Sequence, residues 1–235
     1  MNDRPPLSGQ LSQRLEEPMY SAAEAARLVG LSATRVRRWL RGYEYDYDSE
    51  RRRQKPVIRG HKEETASYGS FLDLVDLLFA KRFVDHGLSL QRLRRALDEA
   101  ARILNSKHFA RQSFFTDGRN IYLEVKEAGN AILELLSGGQ WVIPDLIREL
   151  AEKIDFDTPT GIARKWYPLG QDGLVVLDPL VSFGRPSVIG KGVATNNVYD
   201  LFVAEGRNVR PVCRWLSLDR QEVDAAVRFE EQLAA

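Results

Sequence analysis

Apolar and polar positions along the chain sort into helical stretches at both ends, with shorter alternating pieces between them. The first clear element opens at Ser21. Its hydroxyl and Glu24, three residues on, make a capping box, and the alanine-rich run behind them stops near Gly30. Ser32 caps a second helix in which Val36, Trp39 and Leu40 share one face, leaving Thr34, Arg35, Arg37, Arg38 and Arg41 outside. Two short helices around Val29, Gly30 and Leu31, the second of them basic, predict a helix-turn-helix. From Tyr43 to Asp48 aromatic and acidic residues alternate with the period of a strand, and a basic block from Arg51 to Arg59 follows. With Asp48, Ser49 and Glu50 as the turn, the two runs predict a β-hairpin wing whose inner face is Tyr43, Tyr45 and Tyr47. A helix over Phe71–His86 is stopped by Gly87. Leu88-Ser89-Leu90 opens another, with Leu90, Leu93 and Leu97 inside and Arg92, Arg94, Arg95 and Arg102 mostly outside.

The middle of the chain changes character. Residues 109–115 and 120–125 flank Asp117-Gly118, a strong hairpin signal. A helix near Pro144–Ile154 and extended pieces around Ala163–Tyr167 and Leu174–Leu177 come next. The end is helical again. One helix runs from Asn196 or Asn197 to Glu205, a second covers Val209–Leu216, and a third, capped by Ser217, continues to about Leu233. A faint likeness between Phe83–Gly87 and Phe202–Gly206 is too short to indicate duplication. The expected fold is mainly α within an α+β class. Residues 1–18 are expected as a flexible tail, 19–106 as a winged helix-turn-helix and 107–170 as a hairpin and helix connection. Residues 171–235 are expected as a three-helix, helix-turn-helix-like bundle that binds a partner.

Composition narrows the class without naming a partner. The 235 residues are 43% hydrophobic and 29% charged, which excludes a disordered or collagen-like chain. The net charge of +1 hides an uneven distribution, since residues 27–62 hold 11 basic and 4 acidic side chains. The single cysteine, Cys213, makes no internal disulfide and offers no cysteine-based metal site, and it reads as a small buried hydrophobe. The beginning of the chain lacks a signal-peptide core, and Phe71–Val84 is interrupted by Asp73, Asp76, Lys81 and Arg82. A cytoplasmic protein is expected.

Candidate catalytic groups are sparse. His61, His86 and His108 are isolated and read as surface or capping residues. Gly190-Lys191-Gly192 lacks the spacing of a phosphate loop and reads as a turn. The acid pairs Asp155/Asp157 and Glu230/Glu231 read as solvated surface, and Trp39, Trp141, Trp166 and Trp215 as core. No catalytic residue, metal ligand or cofactor is assigned. The basic front end carries more. A recognition helix needs a buried face to fix it and long donors opposite to reach phosphates and base edges, and the Ser32–Arg41 segment has both. Thr34, Arg35, Arg37, Arg38 and Arg41 are the candidate DNA contacts. Arg51, Arg52, Arg53, Lys55 and Arg59 are candidate phosphate contacts on the wing.

The segment Gly30–Trp39 with its Arg37 and Trp39, the wing, and Gly87–Leu90 opening a helix are similar to the winged DNA-binding domain of MerR-type regulators. Over nearly the whole chain, residues 70–75, the Thr116 hairpin and the segment Trp166–Pro168 resemble the VapB-type antitoxins that carry a domain of unknown function 433. So do Leu177–Pro179, Phe183–Pro186, Val188–Gly190, Gly192–Thr195, Glu205–Gly206 and Val223–Glu230. Where that family usually has Gly-Thr-Arg after its Pro-Val-Ile element, this chain has Gly190-Lys191-Gly192, and Lys191 keeps a positive charge nearby. The resemblance implies an antitoxin that binds and silences a PIN-domain ribonuclease toxin and represses its own operon by binding operator DNA. It implies a homodimer or a hetero-oligomer with the toxin, and Arg185, Lys191, Arg207, Arg210 and Arg214 as candidate toxin contacts. Two rival readings remain: a stand-alone MerR-like regulator sensing a small molecule, and a protein-interaction adaptor that does not touch DNA.

Overall fold

In the computed structural model of the chain, residues 7–58, 68–103, 107–108, 149–158 and 160–234 are described. The chain divides into two compact units: residues 1–151 with 156–163, and residues 152–155 with 164–235. The architecture is mostly helical with small hairpins, as the α+β expectation has it.

The first unit is built around α4 (Phe71–Asp85). Ser70 and Asp73 form a reciprocal capping box at its start, and ten of its residues are buried, from Phe71 to Phe83. A helix buried nearly all round needs neighbours on several sides. α1 (Leu7–Glu16), α2 (Ala22–Val29), α3 (Ala33–Arg41) and α5 (Leu90–Ile103) supply them. β1 (Tyr20–Ser21) pairs antiparallel with β4 (Tyr68–Gly69), which ties the entry to α2 to the entry to α4. Helix α1 departs from the expected flexible tail: Leu11 and Leu15, four residues apart, share one face, and Leu15 is fully buried. Leu93 and Leu97 face inward on α5 as expected, and Leu90 is half-buried.

In the second unit, short strands support a helical end. β5 (Ile154–Phe156) pairs with β6 (Ala163–Trp166), all but the end residues Phe156 and Ala163 belonging to this unit. β7 (Val175–Val176) pairs antiparallel with β8 (Ser187–Val188), and Trp166 and Leu177 exchange two backbone hydrogen bonds of 3.0 and 2.8 Å. Helices α6 (Thr195–Ala204), α7 (Val209–Leu216) and α8 (Arg220–Ala234) close on a core of Val188, Val198, Phe202, Val212, Leu218, Val223, Ala226 and Val227. Residues 190–191 form a turn, as expected.

Several expectations are corrected here. The helix expected to reach Ile154 ends by Ala151, because Ile154 opens β5. Ser217 closes α7 in a left-handed conformation, and Asp219 caps α8 in its place through a reciprocal pair of bonds with Glu222, both 2.8 Å. Glu230 is buried and accepts a hydrogen bond from the buried Thr195 hydroxyl, so it is not a solvated acid. Trp39 and Trp166 are core, but Trp215 is 73% exposed because it lies on the outer side of α7. Cys213 is half-buried against the helical core. The expected Asp117-Gly118 hairpin, His61 and Trp141 lie outside the described residues.

Candidate nucleic-acid interface

The basic helix is positioned by local signals legible in the chain. Ser21 and Glu24 cap α2 reciprocally, at 3.2 and 2.8 Å. Gly30 then ends the helix at φ 67, where glycine has no Cβ penalty, and both Gly30 and Leu31 donate to the Ala26 carbonyl. The Ser32 hydroxyl accepts from the Arg35 amide at 3.2 Å and starts α3. Val36, Trp39 and Leu40 are buried, so the opposite face is committed to solvent. Thr34, Arg35, Arg37 and Arg38 are exposed there, and Arg41 is half-buried. Among the described residues, the Arg35 and Arg37 side chains meet no acid. The Arg38 guanidinium lies over the Tyr43 ring, 5.0 Å from its centroid.

The wing follows at once. β2 (Tyr43–Tyr47) pairs antiparallel with β3 (Glu50–Gln54), with Tyr45 opposite Arg52. Asp48 and Ser49 both take positive φ, 55 and 63, the conformation a two-residue hairpin turn requires. Gly42 fixes where the wing leaves the helix. Its φ is 77, and a Cβ there would lie 2.2 Å from the Gln54 carbonyl oxygen. Beyond β3, the amides of the buried Val57 and Ile58 donate to the Trp39 carbonyl at 2.8 and 3.0 Å, and Arg94 of α5 donates to the Lys55 carbonyl at 3.0 Å. The wing is thus anchored at its base to α3 and α5.

The tyrosines do not form an inner face. Tyr43, Tyr45 and Tyr47 are all exposed, Tyr47 most at 58%. Their cross-strand neighbours are Gln54, Arg52 and Glu50, so no apolar face exists for a core to cover. That composition was the available signal, and the aromatic alternation hid it. Instead, Arg52 stacks on Tyr47 at 4.7 Å and Tyr43 tilts against Tyr45 at 5.9 Å. The wing is also closer to neutral than its basic block suggests: Arg51 pairs with Glu44 at 2.6 Å and Arg52 with Glu50 at 3.2 Å. Arg53, opposite Glu44, and Lys55 are exposed, and Arg59 lies outside the described residues. Among the described residues of this unit, α3 thus presents three exposed arginines, Arg35, Arg37 and Arg38, that no acid neutralises.

Behind α3, α4 holds a charged pair that sequence spacing did not reveal. Asp76 is fully buried and lies 2.7 Å from His108 Nδ1. Burial works against a charged imidazole. The Asp76 carboxylate outweighs it by attraction and hydrogen bonding, with help from Asp73 and Glu16, and holds the His108 pKa above its ordinary value. His108 is therefore a structural partner within the unit and not a surface residue; His86, by contrast, is an exposed helix cap, as expected.

The front of this chain is a helix-turn-helix domain. Residues 18–97 match the family described as "Putative DNA-binding HTH domain". The chain is 25% identical over 201 residues to the "Putative antitoxin VapB45" of Mycobacterium tuberculosis (strain ATCC 25618 / H37Rv), covering 80% of this chain and 84% of that protein. Its fold is shared with the crystal structure of Rv2018 from the same organism, with a TM-score of 0.67 at 22% identity over 91% of this chain and 99% of that one. These likenesses describe an antitoxin-like helix-turn-helix protein and point away from an enzyme. Among the described residues no helix is long and apolar enough to cross a membrane.

The five cations expected to meet a toxin all lie exposed in the second unit, though in different company. Lys191 faces Glu222 at 3.6 Å, and Arg207 pairs with Glu231 at 3.3 Å. Arg210 and Arg214 sit four residues apart on α7, and among the described residues neither side chain has an ionic partner. Arg185 follows the turn Ser182–Gly184.

Proposed function

We propose that this chain is the antitoxin of a type II toxin-antitoxin pair. It binds operator DNA through α3 and the wing, and it binds and silences a PIN-domain ribonuclease encoded beside it through the second unit. The observation that carries the DNA reading is the capped, buried-backed α3 with Arg35, Arg37 and Arg38 exposed opposite its core face. Long cationic donors on a rigid helix can reach phosphates and guanine edges in a major groove. One nine-residue helix reads few base pairs, so useful specificity calls for two copies on a two-fold operator. The toxin reading is supported by the 25% identity to an antitoxin over most of both chains.

Two measurements test it. Co-expression with the neighbouring ribonuclease is expected to relieve growth arrest and yield a co-purifying complex. A folded antitoxin that neither rescues nor associates would remove the pairing, and if it still bound DNA it would be a stand-alone regulator. For DNA, affinity for the promoter fragment is expected to fall by roughly 10³ between about 50 and 200 mM salt if a dimer neutralises about six phosphates. Arg37→Ala with Arg38→Ala is expected to lower both the affinity and the salt slope. An unchanged slope would exclude this face.

A further inference from the structure

The second unit contains a helix-turn-helix of its own, at a constant offset of 187 residues from the first. Helices α2 and α7 each span eight residues. Ser21 caps the first and Asn208 the second, each by accepting a backbone amide. Both end in a left-handed residue, Gly30 at φ 67 and Ser217 at φ 53. The next residue, Leu31 or Leu218, donates to the carbonyl of Ala26 or Cys213, at 2.9 and 3.1 Å. Ser32 and Asp219 then cap the following helix, and Val36 and Val223 are both fully buried beneath it. Few of these matched residues are identical, which is why no sequence repeat announces them. The short likeness between Phe83–Gly87 and Phe202–Gly206 runs at a different offset and is unrelated to this register.

The two copies differ in what they show to solvent. Positions that carry Arg35, Arg37 and Arg38 on α3 carry Glu222, Asp224 and Ala225 on α8. Glu222 and Ala225 are buried, and the exposed Asp224 pairs with Arg220 at 3.5 Å. A second helix with that face lacks, at those positions, the free cations that grip phosphates or read a groove. The cations have moved to the preceding helix instead. At 100° per residue, Arg210, Arg214, Pro211 and Trp215 span one side of α7, opposite the arc of Val209, Val212, Cys213 and Leu216 that packs on the core. Residues 206–218 contain three arginines and no acid. Trp215, at 73% exposure, leaves a large indole in water beside them.

We infer that this face of α7, centred on Trp215, Arg210 and Arg214, is the docking surface for an acidic protein partner. The inference rests on the antitoxin reading and gives that partner's binding site. Tryptophan and arginine are the side chains that most often carry interface energy: the indole fills a pocket, while each guanidinium takes a carboxylate. Duplex DNA suits this face poorly, because stacked base pairs offer the indole no flat surface and the adjoining α8 is acidic where a reading helix needs cations. A second copy suits it poorly as well, because two-fold packing would set these arginines against themselves.

The test compares the full chain with Trp215→Ala and with Arg210→Glu/Arg214→Glu, using the neighbouring ribonuclease, inactivated, as titrant. All three substituted side chains are exposed, and thermal unfolding of each variant checks that the fold is kept. Each variant is expected to weaken the complex at least tenfold and to leave promoter-DNA affinity within twofold. Unchanged ribonuclease affinity with folded variants would overturn this surface while leaving the antitoxin reading intact. Failure of the unsubstituted chain to bind the ribonuclease would overturn both. Loss of DNA affinity, or dissociation of a homo-oligomer, with ribonuclease binding unchanged would assign the face to nucleic acid or to a second copy and overturn the inference.

Discussion

Substituting His108 by alanine probes a fully buried charge, Asp76, in the first unit. Asp76 has no solvent exposure, His108 only 12%, and they meet at 2.7 Å in the middle of α4, the helix on which α2 and α3 rest. Removing one partner of a buried pair takes away part of what compensates the other charge, at a cost of up to about 3–5 kcal/mol. The sign of the pH dependence follows from the raised pKa of His108. A group with a higher pKa when folded binds its proton more tightly in the native state. Its contribution is therefore fully present below the ordinary histidine value, about 6.5, and is lost as pH rises through the folded value. Urea denaturation at pH 6 and pH 8 measures both effects. The stability gap between the unsubstituted chain and His108→Ala is expected to be several kcal/mol at pH 6 and smaller at pH 8. A titration of the His108 ring by NMR is expected to move down when Asp76→Asn removes the charge and leaves burial dominant. A gap under about 1 kcal/mol at pH 6, or one that widens with pH, would refute this account of the pair.

Gly42→Ala places a Cβ against the Gln54 carbonyl at a φ of 77, so either the wing shifts or the strain stays. It is expected to cost about 1–3 kcal/mol in urea denaturation and to weaken promoter binding. Ser32→Ala removes the hydroxyl that accepts the Arg35 amide and is expected to cost about 1 kcal/mol, read by the same denaturation. Thr195→Val deletes one donor to the buried Glu230 carboxylate in the second unit. About 1 kcal/mol of destabilisation is expected in urea denaturation, and a neutral outcome would show that this hydrogen bond adds nothing to stability.

The helix-turn-helix was legible because its determinants are local. Ser21 with Glu24, Gly30, Ser32 and the spacing of Val36, Trp39 and Leu40 each act within a few residues, and all appear where the pattern put them. The wing was legible for the same reason, since aromatic–acid alternation and a short polar turn specify a hairpin. Its anchoring through the Trp39 carbonyl and Arg94 was not, because those partners are set by helix packing. Reading Tyr43, Tyr45 and Tyr47 as an inner face failed where local pattern and environment part. Alternation shows that residues share a side, and only a facing element makes that side interior. Trp215 misled in the same way: a tryptophan beside apolar neighbours fits a core, yet α7 turns it outward.

What the sequence by itself determined, then, is the set of helices with their caps, the turn between α2 and α3, the basic outer face of α3 and the hairpin that follows. Each rests on hydrogen bonds and periodicity spanning three to five residues. Tertiary structure alone decided what charge meets what. It buried Asp76 against His108, thirty-two positions away, and Glu230 beneath Thr195, thirty-five away. It paired Arg51 with Glu44, and it left Arg210, Arg214 and Trp215 facing solvent. It also produced two helix-turn-helices from segments with little identity. A turn of this kind needs only an amide-accepting cap, a left-handed residue and two buried aliphatics, and many sequences satisfy those conditions. What each copy presents to solvent is set by which face its neighbours leave uncovered, and that is a property of the packed chain.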